Sequence, residues 1–134
     1  MLRFMHKVRV GVIGTRHLGS VHAKIYREIE NALLVAVCDT DKTRLERVSQ
    51  ELGVSGYTDY RQLFGKVDAV SVCTPTILHY QVASECLKHN IHTLVEKPFT
   101  TNLKEADSLI KIAKNKKLTL QVGHVERFNS AFTA

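Results

Sequence analysis

A turn that opens on Gly14 and closes on Gly19, with Asp39 twenty residues past the second glycine, constrains this chain more than any other feature. The run before it, Val8-Arg9-Val10-Gly11-Val12-Ile13, is short and β-branched, as a buried strand is. The run after it, from Ser20 to Tyr26, starts a helix. Leu33 to Cys38 reads as a second strand, and Asp39 ends it. Strand, glycine turn, helix, strand and acid in that order form the fingerprint of a dinucleotide site. Glycine lets the backbone turn tightly and come close to a pyrophosphate. The helix start offers free N–H groups and the positive end of its dipole, and the acid accepts from the ribose hydroxyls. Gly14, Thr15, Arg16, His17, Leu18 and Asp39 are therefore candidate cofactor contacts.

The turn departs from G-x-G-x-x-G at one place, where Arg16 stands for the middle glycine. Two readings follow. In one, Arg16 points outward and its guanidinium lies near a phosphate. In the other, its Cβ crowds the pyrophosphate and weakens binding.

Strands and helices alternate along the rest of the chain. The pattern predicts a helix over Asp41 to Leu52, closed by Gly53, then a short strand at Ser55 to Tyr57 and a short helix over Asp59 to Phe64. A fourth strand covers Ala69 to Cys73. A helix follows from Ile77 to His89, with Thr76 as its cap. Ile91 to Val95 is the fifth strand. Asn102 and Glu105 form a capping-box-like pair at the head of a helix whose inner face reads Leu103, Ala106, Leu109, Ile110 and Ala113. Leu118 to Val122 is the sixth strand. The expectation is an α/β Rossmann-type fold, a doubly wound parallel six-stranded sheet with right-handed crossovers. Ligand groups should then gather at the carboxyl ends of the strands, where Thr74-Pro75-Thr76, Glu96-Lys97-Pro98 and Gly123-His124 stand. Pro98 blocks further sheet pairing and fixes the turn, a cis bond being one way to do so. An acid and a lysine at that exit are either a surface ion pair or catalytic groups, and their place at the ligand edge favours the second.

Bulk properties narrow the classes. The 134 residues make one domain with a real core, and 44% hydrophobic residues is ordinary for a globular protein. No apolar run approaches the ~20 residues a membrane helix needs, so no membrane partner is expected. The N-terminal basic residues are followed by a short, glycine-broken apolar stretch without a cleavage site, unlike a signal peptide. Cys38, Cys73 and Cys86 are odd in number and spaced for neither a metal nor a disulfide framework. They read as buried free thiols in a reducing, cytoplasmic setting. The net charge of +6 invites a nucleic-acid partner. Its one basic cluster, Lys111 to Lys117, falls in the last turns of a helix without interleaved aromatics, so no nucleic acid is expected. Attraction of an anionic dinucleotide or nucleotide-linked substrate is a gentler use of that charge. Among the histidines, His22 reads as packing, His89 and His92 as solvated, and His124 as a candidate ligand contact.

On these stretches the chain resembles the N-terminal domain of the Gfo/Idh/MocA family of oxidoreductases. The matching residues are Val10 to Gly14, His17-Leu18-Gly19, His22-Ala23, Val37-Cys38-Asp39, Val72 to Pro75, Glu96-Lys97-Pro98 and the run Gly123 to Asn129. The last run is similar to members acting on nucleotide sugars, the UDP-N-acetylglucosamine 3-dehydrogenase branch. The resemblance implies hydride transfer between NAD(P) and a sugar, cyclitol or nucleotide-sugar carbinol, with Lys97 assisting proton movement at the reacting hydroxyl. It implies that Glu96 orients Lys97 and the cofactor ribose, and that Thr74, Pro75 and His79 line the nicotinamide side. Asp39 without an arginine directly after it favours NAD over NADP. Arg44, five residues on, would flank the adenine. No metal is implied. Family members continue into a second, substrate domain. Residues 1–123 are thus expected to be the dinucleotide-binding domain, and 124–134 the start of a connection to a substrate domain absent from this chain. The face left by such a domain would favour a homo-oligomer. Rival readings are a non-catalytic NAD(H)-responsive module and an inactive truncated fragment.

Overall fold

The structure is a computed structural model that describes residues 6–123. Six strands form one sheet: β1 (Val8–Ile13), β2 (Ala32–Cys38), β3 (Ser55–Tyr57), β4 (Ala69–Val72), β5 (His92–Glu96) and β6 (Leu120–Gly123). Their order across it is β3-β2-β1-β4-β5-β6, and every pairing is parallel. Four helices connect them: α1 (His17–Glu28), α2 (Lys42–Leu52), α3 (His79–Lys88) and α4 (Leu103–Lys116). This is the expected doubly wound sheet. Its central strands β1 and β2 are mostly apolar because helices cover both faces.

Two cores result. Val12, Leu34 and Val37 meet Ala23 of α1 and Leu45, Val48 and Leu52 of α2. On the other face, Ile13, Val70, Val72 and Val95 meet residues of α3 and α4. Asp41 caps α2 by accepting from the Arg44 N–H, and Gly53 ends it in the left-handed conformation at φ 66. Between β3 and β4 the chain makes a 3-10 turn, Tyr60–Leu63, in place of the short helix, and Leu63 plugs the core completely.

Three local expectations are corrected. Helix α1 begins at His17, three residues before Ser20, because Arg16 takes the extended N-cap position directly after the glycine turn. Thr76 caps no helix. It opens a 3-10 turn, Thr76–Leu78, and α3 starts after it. On α4, Leu109 and Ala113 are buried and Ile112 packs on the core, but Leu103 is 82% and Ile110 53% exposed. The inward stripe runs through Leu109, Ile112 and Ala113, and each residue turns the helix by about 100°, which carries Ile110 off it. At its head Asn102 accepts from Glu105 N–H at 2.9 Å, and the Asn102 side-chain amide, in place of the backbone N–H of a capping box, donates back to Glu105 Oε1. Helix α1 leaves Leu18, Val21 and Ile25 exposed along one side. No helix among the described residues is long and apolar enough to cross a membrane.

Candidate functional site

In this strand order β1 lies between β2 and β4, whose following connections leave in opposite directions. Such a switch point opens a crevice at the carboxyl ends. A cavity of about 500 Å³ lies there. The glycine turn shapes one wall. Gly14 has φ +92, and a Cβ on it would lie 2.7 Å from the Cys73 carbonyl. Gly19 holds α1 against the same loop, since a Cβ there would meet the Gly14 oxygen at 1.7 Å. These glycines are therefore fixed by contact, and they bring the start of α1, with its free N–H groups, to the crevice.

Of the expected cofactor contacts, Gly14, Arg16, His17, Leu18, Asp39, Arg44, Thr74 and Pro75 line the cavity. Arg16 has ordinary extended backbone angles, φ −64 and ψ −168, so the arginine strains nothing in the turn. Its side chain is exposed. The other expected contacts lie elsewhere. Thr15 is buried beneath the loop. Its N–H and hydroxyl donate to Asp39 Oδ2 at 2.9 and 2.8 Å. Asp39 is 8% exposed. Burial pushes its carboxyl up, but hydrogen bonds from Asp41, Thr15 and Arg44 outweigh that and hold it below the usual carboxylate range. Arg44, expected beside the adenine, lines the cavity and forks Asp39 and Asp41 at 3.2 and 3.3 Å.

His79, expected on the nicotinamide side, is 1% exposed and does not line the cavity. Its Nε2 lies 2.8 Å from the Thr74 carbonyl oxygen, and its Nδ1 lies 2.9 Å from that of Pro98. The imidazole staples the loop after β4 to the loop after β5.

Glu96 and Lys97 stand at the exit of β5, outside the cavity lining, and the Lys97–Pro98 bond is cis. Lys97 is exposed, whereas Glu96 is 3% exposed. The Glu96 carboxylate accepts from the Lys97 N–H at 3.2 Å and lies 2.6 Å from His22 Nε2. His22 Nδ1 in turn lies 3.0 Å from the Ser71 hydroxyl, which lies 2.6 Å from the Tyr26 hydroxyl. A Cβ on Gly123 would fall 2.8 Å from Glu96 Oε1, so that glycine makes room for the carboxylate. His22, read from sequence as packing, is thus the partner of a buried acid. The sequence holds one trace of this: Ser71 and Tyr26 are polar at otherwise apolar positions. His89 and His92 are exposed as expected, and His124 lies outside the described residues.

The three cysteines are free thiols, and burial pushes each up to about 12. No group of three or more metal-ligating side chains occurs among the described residues.

The site fits a dinucleotide on its own evidence. The turn gives close backbone approach, a helix N-terminus faces the crevice, and the buried Thr74 hydroxyl in the crevice wall has no hydrogen-bond partner among the described residues.

Comparison with known proteins agrees. Residues 8–124 match the Gfo/Idh/MocA profile, described as an oxidoreductase family with an NAD-binding Rossmann fold. The chain is 40% identical over 127 residues to a UDP-N-acetylglucosamine 3-dehydrogenase of Acidithiobacillus ferrooxidans, covering 95% of this chain and 40% of that one. A crystal form of that enzyme superposes with a TM-score of 0.90, at 39% identity over 95% of this chain and 42% of that one. A myo-inositol 2-dehydrogenase of Thermotoga maritima is 35% identical over 93% of this chain and 38% of its own. The scyllo-inositol dehydrogenase of Lactobacillus casei, solved with bound NAD(H) and scyllo-inositol, gives a TM-score of 0.87 at 25% identity, covering 95% of this chain and 39% of that one. The chain spans about two fifths of the length of these relatives.

Proposed function

Because the chain belongs to the Gfo/Idh/MocA oxidoreductase family, we propose that it is the coenzyme-binding part of a dehydrogenase that moves hydride between NAD(H) and a carbinol carbon of a sugar, cyclitol or nucleotide sugar. The observation that carries this reading is the crevice at the switch point, built by contact-fixed glycines, with Lys97 at the next strand exit. Similarity to enzymes of UDP-N-acetylglucosamine and of inositols supports the substrate class.

Bound nicotinamide supplies the hydride acceptor. The chain's own groups do the rest. Gly14 would let the backbone approach the diphosphate, and the N–H groups at the start of α1 would hold it. As hydride leaves the carbinol carbon, the hydroxyl must shed its proton, and Lys97 assists that movement and stabilises the oxygen of the forming carbonyl. Glu96 holds the Lys97 backbone N–H and is itself held by His22. Lys97 is the catalytic residue of this reading, and Glu96 and His22 are positioning residues.

Titration of the chain with NADH, followed by nicotinamide fluorescence, tests the binding half. Saturation is expected, and Gly14→Val should abolish it. Silence at millimolar NADH sinks the reading. The chemical half is tested in a protein that also carries a substrate-binding portion. There Lys97→Ala should lower kcat by about 10²–10⁴-fold, the usual worth of a proton-transfer group, with KM for NAD changed little. An unchanged kcat removes Lys97 from the mechanism.

A further inference from the structure

Ser71 stands inside β4 and is fully buried. Val70 and Val72 on either side of it enter the core shared with α3 and α4, so by strand alternation Ser71 faces the other way, toward α1. His22 and Tyr26, one helical turn apart on α1, meet it there. The contacts form one line. The Tyr26 hydroxyl lies 2.6 Å from Ser71 Oγ, Ser71 Oγ lies 3.0 Å from His22 Nδ1, and His22 Nε2 lies 2.6 Å from Glu96 Oε1. The other oxygen of that acid accepts from the Lys97 N–H.

Counting hydrogens along the line selects one arrangement. Each of its three contacts holds one hydrogen. The two hydroxyls bring one each. A neutral imidazole brings one and an imidazolium two, and a protonated carboxyl adds one more. Ionised Glu96 with neutral His22 therefore fills every contact once. An imidazolium or a protonated Glu96 supplies a hydrogen too many, and one donor is left without an acceptor among the described residues. The place of the imidazole hydrogen follows as well. With the hydrogen on Nδ1, a bare Nε2 would face a carboxylate oxygen at 2.6 Å, lone pair against lone pair. Nε2–H thus donates to Glu96, the Ser71 hydroxyl donates to Nδ1, and the Tyr26 hydroxyl donates to Ser71.

We propose that Ser71 is a positioning residue for the reaction: its hydroxyl holds His22 in the Nε2–H tautomer, which keeps Glu96 an anion with its second oxygen on the backbone of Lys97. What one ring nitrogen meets decides which of the two carries the hydrogen. An ionised acceptor makes the shorter and stronger hydrogen bonds, so the strand exit that carries the lysine is held firmly. Ser71 acts through two intervening side chains, from the face of β4 turned away from α3. Its role in the reaction rests on the reading of Lys97 as the catalytic group.

The first arm of the test uses the whole chain without substrate or coenzyme, and reads the ¹⁵N resonances of the His22 ring at neutral pH. The wild type should show a protonated Nε2 and a bare Nδ1. In Ser71→Ala the bare nitrogen loses its donor, and this signature should be lost. In Tyr26→Phe it should persist, because Ser71 keeps its hydrogen and His22 remains its acceptor. An imidazolium or an Nδ1–H ring in the wild type overturns the proposal without any variant having to fold. A ring unchanged in Ser71→Ala, or altered in Tyr26→Phe to the same degree, also overturns it. The second arm uses a protein that also carries a substrate-binding portion. There Ser71→Ala should lower kcat about tenfold, the worth of one charge-assisted hydrogen bond, with KM for NAD changed little. An unmoved kcat, or a loss that falls on KM alone, overturns the positioning role. If Lys97→Ala leaves kcat unmoved, the reading of the reaction falls and the positioning role with it, while the tautomer still stands or falls by the first arm.

Discussion

Replacing His22 by alanine strips the Glu96 carboxylate of its 2.6 Å partner in a place where the acid is 4% exposed by its side chain. Leaving a buried acid without its hydrogen-bond partner costs about 3 kcal/mol or more, because the group stays desolvated. The His22 side chain is 16% exposed, so water can enter the space it leaves, and the cost should fall to about 2–3 kcal/mol. With a urea m-value of about 1.5 kcal/mol/M, the midpoint drops by roughly 1.3–2 M. A total stability of about 5–15 kcal/mol leaves the variant folded in water. Burial loss alone would also destabilise it, so the decisive measurement is a double-mutant cycle with Glu96→Gln. Glutamine keeps the shape and drops the charge, so removing His22 beside it should cost far less. The cycle should return a coupling of about 2 kcal/mol. A coupling below about 0.5 kcal/mol would refute the argument, because the contact would then carry no energy and His22 would be ordinary packing.

Other consequences are as direct. In Gly19→Ala the new Cβ falls 1.7 Å from the Gly14 oxygen, against a floor of 3.0 Å, so α1 must retreat by about 1.3 Å. The urea midpoint should report at least the 1–3 kcal/mol typical of overpacking, and NADH affinity should fall with it; a neutral result removes the tight packing from the account. Asp39 sits below its ordinary 3.8 in the fold, so the stability it lends is full above about pH 4 and is lost as pH falls through its folded value. Urea midpoints from pH 7 to pH 3 should show this acid limb, and Asp39→Asn should flatten it. The thiols of Cys38, Cys73 and Cys86, pushed up to about 12 by burial, should alkylate at pH 7.5 at least about 100-fold more slowly in the native chain than in urea. Rapid native labelling of Cys38 or Cys86, the two buried thiols, would contradict the burial.

Much of the architecture can be read from local chemistry. The glycine turn, the alternation of apolar strands with amphipathic helices, and the closures at Gly53 and Asn102 depend on neighbours a few residues away. What escapes is what depends on distant partners. Thr76 is a good cap in isolation, yet the buried imidazole of His79 draws the chain into a 3-10 turn first. Leu103 and Ile110 look inward on a helical wheel, but the sheet beneath α4 reaches only one stripe of it. His22 and Glu96 are 74 positions apart, and nothing near either residue announces the other. Asp39 was legible as a residue of the crevice because its place after β2 is fixed by spacing. That Thr15 and Arg44 fill its oxygens was not, since that depends on how a loop and a helix meet.

The imidazole stapling Thr74 to Pro98 makes one mechanical part of two loops that look separate in the chain. A tilt of the crevice wall after β4 is passed through a single ring to the backbone beside Lys97. Tuning coenzyme fit by rebuilding that wall therefore also re-aims the lysine, and anyone grafting either loop onto another scaffold must carry His79 along.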